Sequence, residues 1–78
     1  MEHELKIEPQ YLKNLLSGKK KVEIRYNDRD YQVGDVLVFW NESQDDNVYF
    51  KITHIHSGLG MADRYVALSV KQIPTPIT

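Results

Sequence analysis

No cysteine occurs in this chain of 78 residues, so neither a disulfide nor a thiolate metal centre can staple it. That usage suits a reducing compartment. No apolar run approaches the roughly 20 residues that span a bilayer; Val36-Leu37-Val38-Phe39-Trp40 is followed at once by the polar Asn41. Met1-Glu2-His3-Glu4 has neither the basic start nor the apolar stretch of a signal peptide. Charge of one sign is not in excess either. The net charge is −1, which excludes the polycation that announces nucleic-acid binding by composition alone. These absences lead to the expectation of a soluble, cytoplasmic, single domain over residues 1–78, with no membrane partner. A chain this short buries only about 60% of its unfolded surface, so the core is small.

Glycine and proline are few, four and three in number, and each therefore punctuates the chain. Leu5 and Ile7 alternate with Lys6 and Glu8, the pattern of a first short strand. Pro9 suits the first turn of a helix. Tyr11, Leu12, Leu15 and Leu16 follow at helical spacing as an apolar stripe, and Ser17-Gly18 ends the helix with a residue able to take a left-handed cap. Val22, Ile24 and Tyr26 then alternate with Lys21, Glu23 and Arg25, giving a second strand with one apolar and one charged face.

Asn27-Asp28-Arg29-Asp30 and Val33-Gly34-Asp35 read as turns. Val36–Trp40 reads as a strand covered on both faces, and 41–47 as an acidic loop carrying Glu42, Asp45 and Asp46. Val48, Phe50 and Ile52 alternate along a fourth strand. Ile55 is out of phase with them, which predicts a bulge near Thr53-His54. A fifth strand over 65–70 turns Val66, Leu68 and Val70 to one face. Pro74 and Pro76 are incompatible with regular pairing, so about 72–78 is expected to be a flexible tail. One helix among about five strands predicts an α+β domain built as a small, mainly antiparallel β-barrel.

Charge is concentrated in one place. Lys13, Lys19, Lys20, Lys21, Arg25 and Arg29 face only Glu23 and Asp28 between residues 13 and 29. A local positive field of this kind attracts a polyanion despite a neutral total. Arg25 offers a planar fork of donors to a phosphate or a guanine edge. The lysines supply point charges that add affinity without sequence choice. Tyr26, Tyr31 and Trp40 are candidate stacking platforms for unpaired bases, with Tyr31 the first choice beside the basic segment. The plain alternative is that Glu23 and Arg25 form a surface pair worth about 0–1 kcal/mol, and that the lysines are a solvated strand start.

A lysine beside a carboxylate can also act as a base when burial lowers its pKa. Lys20 and Glu23 are the candidates, provided that the chain turns after Gly18; on an unbroken strand their side chains point apart. Ser17 and Ser57 lack a nucleophile's context. His54-x-His56, with or without His3, is too weak a pattern to assign a metal, and no cofactor is assigned.

The pattern G-x-K-x-x-E-x-R, here Gly18, Lys20, Glu23 and Arg25, resembles the signature of ASCH domains of the PUA-like superfamily. His3-Glu4-Leu5-Lys6, the stretch from Asn27 to Asp35, and Tyr65-Val66-Ala67-Leu68 are similar to a compact bacterial and phage branch of that superfamily, long labelled a domain of unknown function. The resemblance implies a PUA-like barrel with a cleft beside the first helix, lined by the signature residues. It implies binding of RNA or a nucleotide-like ligand by Lys20, Glu23 and Arg25, with Lys19, Lys21 and Arg29 as electrostatic support. Some small ASCH proteins are amidohydrolases that deacetylate 4-N-acetylcytidine with a lysine, a threonine three residues later and a distant glutamate. Lys20 matches that lysine, but Glu23 stands at the threonine's position, which favours binding over catalysis. An accessory module that binds a protein is a third reading, and it predicts a contiguous exposed apolar patch.

Overall fold

The computed structural model describes residues 1–43 and 46–76. Five strands and one helix follow in the order β1 (Glu2–Lys6), α1 (Pro9–Leu16), β2 (Val22–Tyr26), β3 (Val36–Trp40), β4 (Val48–His56) and β5 (Tyr65–Ile73). The strands form one sheet in the order β1-β3-β4-β5-β2. Its pairs are antiparallel except β1–β3, which is parallel. A parallel partner requires a long crossover, and the segment holding α1 and β2 supplies it. The result is a small α+β fold with a mixed, half-barrel sheet. β1 and β2 are its two edges.

The core lies on the concave side of this sheet. Leu37, Phe39, Ile52 and Leu68 are its largest fully buried side chains, with Phe39 and Phe50 meeting edge to face at 5.7 Å between centroids. Val38, between Leu37 and Phe39, is buried too, so the middle of β3 is covered on both faces. α1 contributes Leu12 and Leu15. Tyr11 and Leu16, read from the sequence as part of the same stripe, are each 46% exposed. At two turns, the helix is too short to bury a wider face. It has no stability apart from this packing.

The register of β4 against β5 shifts between Ile52 and His54, where the change of phase predicted a bulge. The Thr53 hydroxyl there donates to the Ser69 carbonyl at 3.2 Å. The fifth strand is longer than expected: Gln72 pairs with Phe50 and Ile73 with Tyr49. The first half of β4 needs a partner, and regular pairing lasts until Pro74. The flexible tail expected from about residue 72 therefore begins no earlier than Pro74, and its last two positions, 77 and 78, lie outside the described residues. So does Asp45 of the acidic loop, in which Glu42 accepts a hydrogen bond from Lys6 Nζ at 3.1 Å. Among the described residues, no helix is long and apolar enough to cross a membrane.

Near the chain start, Asp35 gathers a second set of polar groups. It accepts from the Met1 ammonium at 3.2 Å, from His3 Nε2 at 2.8 Å and from the Gln32 amide at 3.0 Å. The hydrogen bond from His3, foremost, holds its carboxyl below the usual range. His3 in turn packs edge to face on Tyr31 at 4.8 Å.

A candidate nucleotide-binding cleft at the open edge of the sheet

The alternation in β2 leaves open which face is buried. In the structure the charged face points inward. Glu23 is 5% exposed, whereas Val22, Ile24 and Tyr26 on the opposite face are 37%, 59% and 45% exposed. A carboxylate so buried must be paired, and its partners are the two cations of the motif. Lys20 Nζ donates to Oε1 at 2.9 Å, and Arg25 Nε donates to Oε2 at 2.8 Å. Both cations stay about one-quarter to one-third exposed, at 31% for Lys20 and 26% for Arg25. The cluster therefore carries one net positive charge at its open side.

The parity problem for Lys20 is solved by the end of α1. Gly18 takes φ +78°, a conformation open to glycine at little cost. The Gly18 amide donates to Leu15 O at 3.2 Å, and the Lys20 amide donates to Asn14 O at 3.0 Å. This wrap holds Lys20 in the junction, before β2 begins, so its side chain reaches Glu23. Its ammonium also lies 4.9 Å from the Tyr11 ring centroid, a cation–π contact.

Arg25 does a second job. Its Nη2 donates to the Lys6 carbonyl at 3.2 Å, and Cζ sits 5.9 Å from the Phe39 ring. One side chain thus spans the two sheet edges where a closed barrel would pair β1 with β2.

A cavity of about 610 Å³ opens along this edge, within the usual range of small-ligand sites. Lys20, Glu23 and Arg25 line it, together with Tyr11, Tyr26 and Tyr65. The ladder also aims backbone groups toward it. Val70 N–H donates to Lys21 O, and Asn27 N–H donates to Arg64 O. Lys21, Glu23, Arg25 and Asn27 thereby direct their amides to β5, so Val22 and Ile24 direct theirs to the open edge.

The remaining residues singled out in the sequence lie elsewhere. Lys19, Lys21 and Arg29 are exposed outside the cavity lining, and Arg29 makes a long 3.9 Å pair with Asp28. Tyr31 is 4% exposed, packed in the core on His3; burial raises its hydroxyl pKa. It is no surface for a base, because the turn that begins at Asn27 folds it inward, with its amide on Asn27 Oδ1 at 3.2 Å. Trp40 is 38% exposed, with Lys6 Nζ 5.6 Å from its ring centroid. His3 is committed to Asp35, and His56 Nε2 lies 2.8 Å from Leu59 O. Tyr65 was missed. Its alternation opposite Val66, Leu68 and Val70 put it on the outer face, but only the register Tyr26↔Tyr65 brings it to the cleft.

A model of the family described as "Domain of unknown function (DUF3850)" matches residues 2–70. An "Uncharacterized 12.9 kDa protein in GpA 3'region" of Escherichia phage P2 is 44% identical over 36 residues. That stretch is 46% of this chain and 33% of the phage protein, so the match spans about a third of that relative's length. Among solved structures, the crystal structure of hypothetical protein PH0355 aligns with a TM-score of 0.67 at 19% identity, covering 94% of this chain and 100% of that one. The likeness is one of fold. With its family model matched over most of the length, the chain belongs to the DUF3850 family, a domain of unknown function.

Proposed function

We propose that this protein is a PUA-like domain of the ASCH type that binds RNA or a nucleotide-like ligand in the cleft at the open sheet edge. The observation that carries this reading is the buried Glu23 holding Lys20 and Arg25 at 2.9 and 2.8 Å in the wall of a 610 Å³ cavity. A buried ion cluster is a poor way to stabilise a small fold, since apolar residues of similar volume serve as well or better. Its use here is to hold two cations at fixed positions facing an opening. Tyr11, Tyr26 and Tyr65 add aromatic surface beside them, and base stacking on such rings is worth about 1–3 kcal/mol per base. Lys19, Lys21 and Arg29, exposed outside the cavity lining, serve as a supporting field. The test is fluorescence anisotropy of a labelled single-stranded RNA across a salt series. Affinity falling linearly in log–log form with salt, at a slope of about −0.7 per phosphate contact, supports the reading. No binding at low salt removes RNA as the ligand, and no binding of nucleoside monophosphates either removes the reading.

A second reading rests on the Lys20–Glu23 contact. Lys20 Nζ stands 2.9 Å from a Glu23 oxygen, an arrangement able to orient a water for attack on an acyl carbon and to take up the proton that the water releases, the amide nitrogen leaving with a proton. Incubation with 4-N-acetylcytidine then yields cytidine and acetate, and Lys20→Ala stops it. No cytidine at high protein concentration eliminates this chemistry for that substrate.

A further inference from the structure

A second cavity of about 540 Å³ lies beyond the first and shares a wall with it. That wall is Tyr65, which lines both. Tyr65 meets Tyr26 edge to face, with centroids 5.5 Å apart and planes at 79°. The two rings remain 41% and 45% exposed. An aromatic pair half in solvent between two openings is a stacking ridge rather than a core contact.

The second cavity has polar chemistry of its own, from Asn27, Ser57, Asp63 and Arg64. Arg64 stands in the left-handed region at φ +65°, an uncommon conformation for a long side chain. Strain of this kind persists only where surrounding structure imposes it. Here the imposing contacts are the Arg64 carbonyl accepting from Asn27 N–H at 2.7 Å and the Tyr65 amide on Ala62 O at 3.0 Å. Arg64 is exposed, and no described carboxylate pairs with it. The loop before it is built by turns: Met61 N–H donates to Gly58 O at 2.8 Å, and His56 Nε2 lies 2.8 Å from Leu59 O. A strained backbone thus presents a free guanidinium beside an aromatic ridge. Among the described residues, Asp63 is the one carboxylate lining this cavity; it repels a phosphate but accepts from a base amino group.

We propose that the ligand is a single-stranded RNA segment of at least two nucleotides. One occupies the Lys20–Arg25 cavity, and the next crosses the Tyr26–Tyr65 ridge into the second cavity, where Arg64 meets a phosphate. The inference rests on the RNA reading above. It adds length to the ligand: a lone nucleotide fills only half of the site.

Calorimetric titration tests this with the monophosphates of adenosine, cytidine and uridine against the matching homotetranucleotides. The tetranucleotide of at least one base binds about tenfold more tightly than its monophosphate, as expected of one further base on the ridge whose phosphate is held by Arg64. Arg64→Gly removes most of that gain and leaves monophosphate affinity unchanged. Glycine reaches φ +65° freely, so this variant keeps the fold, which its melting curve verifies. A tetranucleotide no tighter than the monophosphate, or a gain untouched by Arg64→Gly, overturns the proposal while the cleft reading stands. Absence of binding by every probe overturns both.

Discussion

Among the described residues two carboxylates lie buried, Glu23 and Asp35, and they are held by different kinds of partner. Asp35 is closed in by the chain start, by the buried His3 and by the Gln32 amide of its own turn. All three contacts tie elements together. Glu23 receives two long cationic side chains, each partly exposed, in the wall of a cavity. The first arrangement joins β1 to the turn before β3. The second presents charge. Burial of an acid alone therefore says little about function; what sets the Glu23 site apart is that its two cationic partners line a cavity.

The comparison breaks first at Asp35. Asp35→Ala leaves the buried His3 and the Gln32 amide without their acceptor and costs about 3 kcal/mol. For a domain of this size that is roughly 12–24 °C in Tm, read by thermal melting, with any RNA binding of the folded fraction retained. Its pH dependence follows from the lowered pKa. A carboxyl with a depressed folded value stabilises the fold above its unfolded value, about 3.9. That contribution is lost as pH falls through the folded value. Wild-type stability thus drops below about pH 4, and the Asp35→Ala variant has a flatter acid limb.

Glu23→Ala has a smaller effect. Lys20 and Arg25 can turn to solvent when their acceptor goes, so the loss is about 1–2 kcal/mol. The two cations are no longer held in place, and RNA affinity changes more than Tm does. Equal losses at Asp35 and Glu23 would erase the distinction between the two sites. The smallest effect is at Ile24, an apolar residue on the outward face of β2. At 59% exposure, Ile24→Thr shifts stability by no more than about 0.5 kcal/mol.

That last position shows where the sequence was readable and where it was not. The helix bounds followed from Pro9 and Gly18, the bulge from the phase of Ile55, and the shared face of Glu23 and Arg25 from period-two geometry. Which face of β2 turns inward was not legible. It depends on Phe39 and the Lys6 carbonyl, partners distant in sequence that receive Arg25. Tyr31 misled for the same reason. It stands near the basic segment in sequence, but its packing partner His3 is in β1. The extension of β5 to Ile73 reflects the needs of β4 rather than local propensity. The three members of the motif, Lys20, Glu23 and Arg25, converge because Gly18 lets the chain wrap, a feature the glycine itself advertised.

The central claim is that the Glu23 cluster exists to present Lys20 and Arg25 to a ligand. It is tested most directly by titrating labelled single-stranded RNA against the wild-type chain and the Lys20→Ala/Arg25→Ala variant at low salt, with melting curves recorded in parallel. The account predicts that the variant remains folded and loses RNA binding. A folded variant that binds RNA as tightly as the wild type would contradict it.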